Sequence, residues 1–168
     1  MLNQAVKEKR WPMYVWGSTG TGKTTALAIA FSQVPLTVDA MFIQFTKFCE
    51  LVTRCRKDGE ATEWIGDQCV THTEGHLWYR IKCCQFLFID EIGVRSDLDT
   101  RVEILQRILD ERVGKPTLMT GNVPFLSLEA QFDSRVSSRI SGGYVLEMTG
   151  QDRRLEHFEE RVAKVVVK

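Results

Sequence analysis

One eight-residue stretch constrains the fold of this chain more than any other part of the sequence. Residues 17–24 read Gly-Ser-Thr-Gly-Thr-Gly-Lys-Thr and match the phosphate-binding pattern G-x-x-x-x-G-K-[ST]. The apolar run Met13–Trp16 predicts a buried strand before it, and Lys23–Phe31 predicts a helix after it. Such a turn lets successive backbone N–H groups point at one phosphate, and the start of the helix adds its positive dipole end. The stretch therefore predicts a site for nucleotide phosphates.

Two side chains of this stretch have predicted chemical roles. Lys23 can reach the β- and γ-phosphates, and the hydroxyl of Thr24 can bind Mg²⁺. A glycine-rich turn that binds nothing is the alternative, but the flanking strand and helix favour a phosphate loop. The candidate nucleotide-binding residues of this stretch are Gly17, Ser18, Thr19, Gly20, Thr21, Gly22, Lys23, Thr24 and Thr25.

A pair of carboxylates provides the second chemical signal. The continuous apolar run Phe86–Ile89 predicts a strand that is covered on both faces, and Asp90 and Glu91 follow it directly. Because the carboxyl ends of parallel strands meet at one edge of a sheet, both carboxylates should lie near the phosphate loop. We expect Asp90 to hold Mg²⁺, directly or through water, and Glu91 to orient or activate an attacking water.

Asn122 follows a third predicted strand, Thr117–Thr120, and has two readings of equal weight. Its carboxamide could hydrogen-bond the γ-phosphate or the attacking water. Gly121 and Asn122 are also ordinary turn residues, so the pair could simply end the strand.

Composition restricts the remaining possibilities. The chain has 168 residues, a length that predicts one domain. Its 22 basic and 22 acidic residues give no net charge, which argues against a protein that coats nucleic acid through bulk positive charge. It has no apolar run long enough to span a membrane and no secretory signal, so we expect a cytoplasmic protein with reduced thiols. A zinc site is the alternative for four side chains, Cys69, His72, His76 and Cys83, although their spacing matches no standard zinc-binding motif.

Predicted strands and helices alternate along the chain, which indicates an α/β fold with a parallel sheet sandwiched by helices. Residues 60–76 are predicted to be polar and irregular. Thr46 is predicted to cap a helix that ends near Lys57, with Glu50 close to the capping-box position, and a helix is predicted over Leu77–Lys82. Apolar residues of 155–165 predict a closing helix.

Taken with these features, several stretches are similar to the DnaC/IstB-type AAA+ ATPases, which include the replicative helicase loaders. The resemblance covers residues 11–161, so nearly the whole chain is read as one AAA+ ATPase domain. The most specific stretch is 86–94, which resembles the Walker B segment of the loaders. The other similar stretches are 108–112, 115–117, 120–122, 133–140 and 152–154.

The resemblance implies a function and further site residues. It implies an ATPase that uses ATP and Mg²⁺ and acts as a helicase loader or primosome-remodelling factor in DNA replication. It implies that Arg139 is an arginine finger that serves a neighbouring subunit in a ring or spiral, and that Arg154 is a nucleotide-sensing arginine. It also implies a replicative helicase or another replication protein as partner, and single-stranded DNA as a candidate ligand. The candidate DNA-binding residues are Arg54, Arg56, Lys57, Trp64, Trp78, Tyr79 and Arg80. The alternative, that the tryptophans belong to the core or to a protein interface, has at least equal weight.

Two other functions are compatible with the same motifs. A small nucleoside or nucleotide kinase also uses a phosphate loop, and a nucleotide-gated binding module would bind ATP without turnover. The chain also departs from the longer loaders, because it has no room for their separate N-terminal partner-binding domain.

Overall fold

The computed structural model describes residues 7–93 and 98–150. Seven strands form two sheets. The main sheet has five parallel strands in the order β2-β5-β6-β1-β7, and β3 and β4 form a separate antiparallel hairpin. The strands are β1 Met13–Trp16, β2 Ala40–Gln44, β3 Ala61–Ile65, β4 Gln68–His72, β5 Phe86–Asp90, β6 Thr117–Gly121 and β7 Tyr144–Glu147.

Helices cover both faces of the main sheet, because its strands are apolar on both sides. Leu87 and Ile89 of β5 lie in a large core on one face, whereas Phe88 packs with Leu27 on the other. None of the described helices is long and apolar enough to cross a membrane. The helices are α1 Lys23–Ser32, α2 Phe45–Asp58, α3 Glu74–Cys83, α4 Leu98–Glu111, α5 Leu128–Gln131 and α6 Ser134–Ser141, with a short 3₁₀ turn over Phe125–Ser127.

The expectation of an irregular segment over residues 60–76 is wrong. This segment forms the β3–β4 hairpin, in which Ala61 pairs with His72 and Ile65 pairs with Gln68. Gly66 has a φ of 60° and makes the tight reversal between the strands. The pattern was hard to detect because Ala61 is the only buried residue of the two strands, so no apolar alternation marks them.

Two helix starts also differ from the sequence prediction. Helix α2 begins at Phe45 after Gln44, which makes no side-chain cap, so the predicted cap at Thr46 and capping box with Glu50 are wrong. Helix α3 begins at Glu74, earlier than predicted, because the Thr73 hydroxyl accepts a hydrogen bond from the backbone N–H of His76.

Arg112, just after α4, ties together the edge of the main sheet where β5 and β6 begin. Its side chain is 3% exposed, and burial lowers the pKa of the guanidinium. Because it donates to carbonyl groups from two separate segments, 81–85 and 116, it fixes the end of α3 against both strands. The acceptors are the carbonyls of Ile81, Cys84, Gln85 and Pro116 and the hydroxyl of Thr117.

Replacement of Arg112 by methionine should lower the free energy of unfolding by about 3 kcal/mol, because several buried carbonyls lose their donor. The matched replacement Arg54→Met, on an exposed face of α2, should change it by less than about 0.5 kcal/mol. Urea unfolding followed by circular dichroism measures both values. Equal stability of the two variants would show that Arg112 does not hold this edge together.

Candidate functional site

The phosphate loop spans residues 17–22, between the end of β1 and the start of α1. Two positions of the loop require glycine for structural reasons. A Cβ atom on Gly17 would lie 2.2 Å from the backbone oxygen of Met148, so no larger residue is accommodated there without movement of the backbone. Gly22 has a φ of 90° and directly precedes the first turn of α1. The loop therefore curls closely enough to present the N-terminus of α1 to a ligand.

Lys23 lies at the centre of this loop. Its Nζ donates hydrogen bonds to the carbonyl oxygens of Gly17 at 2.8 Å and Ser18 at 2.6 Å. The Thr21 hydroxyl donates to the same Ser18 carbonyl at 2.9 Å. The ammonium group is thus held where an incoming phosphate would meet both its charge and the N–H groups of the helix start.

The Asp90 carboxylate lies across from the loop, at the carboxyl end of β5. Its Oδ1 accepts hydrogen bonds from the hydroxyls of Thr24, at 3.1 Å, and Thr120, at 2.6 Å. Two oxygen ligands on adjacent corners of a Mg²⁺ octahedron are about 3.0 Å apart. The separation of the Thr24 and Asp90 oxygens therefore suits a shared Mg²⁺, and hard oxygen donors are the ligands this ion prefers.

Glu91 adopts a backbone conformation that is uncommon for a residue with a side chain. Its φ is 60°, in the left-handed region, which costs on the order of 1 kcal/mol. Its backbone N–H donates to the Thr120 hydroxyl at 3.1 Å, and the next N–H, of Ile92, donates to the Thr120 carbonyl at 2.7 Å. These bonds hold the left-handed turn in place, and the Glu91 side chain remains exposed.

One cavity of about 400 Å³ brings most of the predicted site residues together. Asn122 lies on its wall with an exposed side chain, and it also belongs to the turn that follows β6. The cavity is lined by Thr19, Gly20, Gly22, Lys23, Thr24, Thr25, Asp90, Glu91, Thr120, Gly121 and Asn122.

The predicted arginine finger, Arg139, does not line this cavity. Arg139 lines a different cavity together with Pro12 and Thr117, which lie at the amino ends of β1 and β6. It is therefore at the edge of the sheet opposite the phosphate loop, and its guanidinium pairs with the Asp110 carboxylate at 2.7 Å. Arg154 lies outside the described residues.

Thr120 is a site residue that sequence reasoning missed. Its hydroxyl donates to Asp90 and accepts from the backbone of Glu91, so it connects the two acidic residues to β6. The sequence feature that could have identified Thr120 is its position near the end of β6, a strand that pairs with β5 in parallel. A hydroxyl residue two positions before Asn122 should then lie beside Asp90.

The four side chains of the alternative zinc site do not converge. His72 contacts the Glu63 carboxylate through Nε2 at 3.0 Å, while Cys69 and Cys83 are exposed. Within residues 7–93 and 98–150, no three metal-binding side chains form a group that could hold an ion. All five cysteines of the chain are free thiols in the structure.

The candidate DNA-binding residues do not form one surface. Trp78 is 5% exposed and packs edge-to-face against Phe48, so it is a core residue, the alternative given for it above, and not a DNA contact. Arg56 pairs with Glu74 and Glu103, and Arg80 pairs with Asp39. The remaining candidates have exposed side chains: Arg54, Lys57, Trp64 and Tyr79.

Comparison with known proteins identifies the fold. No protein-family model matches the sequence, and no curated protein sequence is significantly similar to it. Among solved structures, DnaI has a TM-score of 0.65 at 24% identity, covering 90% of this chain and 80% of DnaI. The DnaC helicase loader has a TM-score of 0.67 at 17% identity, covering 88% of this chain and 86% of DnaC.

A structure of the replication initiator DnaA bound to AMPPCP and single-stranded DNA is also similar. Its TM-score is 0.67 at 17% identity, with 97% of this chain and 49% of the DnaA chain covered. This chain thus spans about half the length of that initiator. The similarities confirm the predicted fold, an α/β domain with a parallel sheet between helices and a phosphate loop after its first strand.

Replacement of Thr120 by valine should weaken Mg²⁺-dependent binding of AMPPCP about tenfold. The reason is that Asp90 loses a charge-assisted hydrogen bond, which is worth about 1.5 kcal/mol or more. Thr120→Ser keeps the hydroxyl and should bind as the unmodified protein does. Calorimetric titration measures the affinities, and thermal unfolding checks that both variants are folded. Equal affinities would exclude this role for Thr120.

Proposed function

We propose that this protein is an AAA+ ATPase that binds ATP with Mg²⁺ and hydrolyses it to ADP and phosphate. One observation carries the proposal: the phosphate loop, Asp90 and Glu91 line a single cavity at the carboxyl edge of a parallel sheet. The DnaA structure of the same fold contains AMPPCP, which supports a nucleotide as the ligand.

The cavity residues can divide the reaction among themselves. The Lys23 ammonium leaves the loop carbonyls and neutralises charge on the β- and γ-phosphates, while N–H groups of the loop and helix start hold their oxygens. Thr24 and Asp90 would hold Mg²⁺, which neutralises charge that develops on the phosphate oxygens. Glu91 orients a water for in-line attack on the γ-phosphorus and accepts its proton, and Asn122 donates a hydrogen bond to the γ-phosphate or to that water.

Replacement of Glu91 by glutamine should abolish phosphate release and leave ATP affinity nearly unchanged, because the amide cannot accept the proton of the water. The exposed Glu129→Gln variant serves as the matched control and should keep full activity. A phosphate-release assay and an equilibrium binding titration measure the two properties. Loss of binding would move Glu91 to the nucleotide-holding residues. A phosphorylated acceptor in place of free phosphate would identify a kinase, and binding without turnover in the unmodified protein would identify a nucleotide-gated module.

We infer that the ATPase acts in DNA replication, as a helicase loader or as a factor that remodels the primosome. The shared fold with the DnaC helicase loader, DnaI and the initiator DnaA supports this role. A replicative helicase or another replication protein is the corresponding partner. Direct contact with single-stranded DNA would depend on Arg54 and Lys57, exposed cations near the end of α2.

We also propose that Arg139 completes the site of a neighbouring subunit. Its place at the opposite edge of the sheet keeps it from the phosphates of its own chain, whereas a head-to-tail contact would bring it to the next chain. Its pairing with Asp110 is exposed on both sides, so a phosphate could replace the carboxylate at little cost. Repeated contacts of this kind build a ring or an open spiral.

Replacement of Arg139 by alanine should preserve ATP binding by the isolated chain and abolish the ATPase activity that rises with protein concentration. Mixing it with the Glu91→Gln variant should restore activity, because some interfaces then join an intact Arg139 to an intact Glu91. Arg135→Ala is the control, since Arg135 is exposed on the same helix and lines the same cavity. Steady-state phosphate release across protein concentrations measures the effect. Mixtures that remain inactive would place Arg139 outside the interface.

A further inference from the structure

The hairpin tip, residues 64–67, is an apolar projection with acidic surroundings. Trp64 is 73% exposed and Ile65 is 58% exposed, and they precede the turn formed by Gly66 and Asp67. Between Lys57 and Arg80 the sequence has five acidic residues and no lysine or arginine. An exposed tryptophan on a strand is the kind of side chain that dominates protein–protein contacts, whereas the acidic charge disfavours DNA phosphates.

An apolar groove lies beside this hairpin. We call it the edge groove; its volume is about 630 Å³, and residues 41–44 of β2 line it. Because successive residues of a strand point to opposite faces, four consecutive lining residues mean that the edge of β2 borders the groove. Within the part of the chain that the structure describes, that edge carries no neighbouring strand. Phe48, Leu51 and Leu77 supply apolar walls.

The charged side chains that line the edge groove are two cations and one carboxylate, that of Glu63, so the balance of charge suits an acidic occupant. Lys47 and Arg80 also line it; Lys47 is exposed, and Arg80 contacts Asp39. His72 lines it as well, and its Nδ1 is buried without a hydrogen-bond partner among the described residues.

We propose that the edge groove binds the hairpin tip of a second copy of this chain. The tip supplies groups that match the groove: a large apolar side chain, strand backbone for the β2 edge, and an acidic residue for Lys47. Ile65 belongs to both the tip and the groove lining, so the two elements adjoin on one surface. A surface that contains a projection beside its complement can pair with itself around a two-fold axis, with each tip in the partner's groove.

Sedimentation velocity of the full chain without nucleotide tests this pairing. The unmodified protein should form a dimer as its concentration rises. Trp64→Ala should raise the dimer dissociation constant about tenfold or more, because it removes the main apolar contact. Leu36→Ala is the control, since Leu36 is fully exposed on a different loop, and it should dimerise normally. Arg139→Ala should also dimerise normally, which separates this contact from the ATP-dependent assembly.

A charge exchange between variants makes the test specific. Lys47→Glu and Asp67→Lys should each weaken the dimer, because both contacts of a two-fold pair then join like charges. An equimolar mixture of the two variants should associate more tightly than either alone, since both contacts of the mixed pair join opposite charges. The proposal is overturned by a chain that stays monomeric, by dimers that ignore Trp64→Ala, or by a mixture no tighter than its components. A Trp64-dependent change in fluorescence on addition of single-stranded DNA to a monomeric chain would identify DNA as the ligand instead.

Discussion

The carboxylate of Asp90 is the point on which the nucleotide cavity depends. It accepts one hydrogen bond from a hydroxyl in the first turn of α1 and one from a hydroxyl in β6. A single oxygen atom thus connects the helix that follows the phosphate loop to β5 and β6. Thr120 extends this connection to the backbone of Glu91. The carboxylate of Asp90 and the backbone of Glu91 are therefore linked through one hydroxyl group, that of Thr120.

The opposite edge of the sheet has a different organisation. There the buried guanidinium of Arg112 donates hydrogen bonds to carbonyl groups at the end of α3 and before β5 and β6. The exposed Arg135 and Arg139 of α6 line the same cavity as Arg112. A fixed backbone beneath Arg139 suits a residue that contacts another molecule, because less conformational entropy is then lost on binding. In the proposed function, the parallel sheet therefore separates two tasks, with phosphate chemistry at its carboxyl edge and the contact of Arg139 with a neighbouring subunit at its amino edge.

Sequence predicted those parts of the site that depend on contiguous residues. Residues 17–24 and the Asp90–Glu91 pair each specify their own backbone context, and the strands predicted beside them, β1, β5 and β6, were placed to within one residue. Thr120 was missed because its partners lie about thirty residues away and meet it only through strand register. Trp78 was left between a DNA contact and the core, because composition cannot tell an aromatic residue on the buried face of a helix from one on its exposed face.

The hairpin was missed for a related reason, and that reason bears on its role. A strand that contributes to a core shows apolar alternation, whereas β3 and β4 bury only Ala61 and leave Trp64 and Ile65 exposed. Exposed apolar residues beside the open edge of β2 would favour indiscriminate pairing unless something limits access. The acidic residues around the tip and Lys47 and Arg80 at the groove supply that limit, because they repel most intruding strands and admit those of complementary charge. The absence of apolar alternation in β3 and β4 is thus consistent with a hairpin whose apolar residues contact a partner and not the core of their own chain.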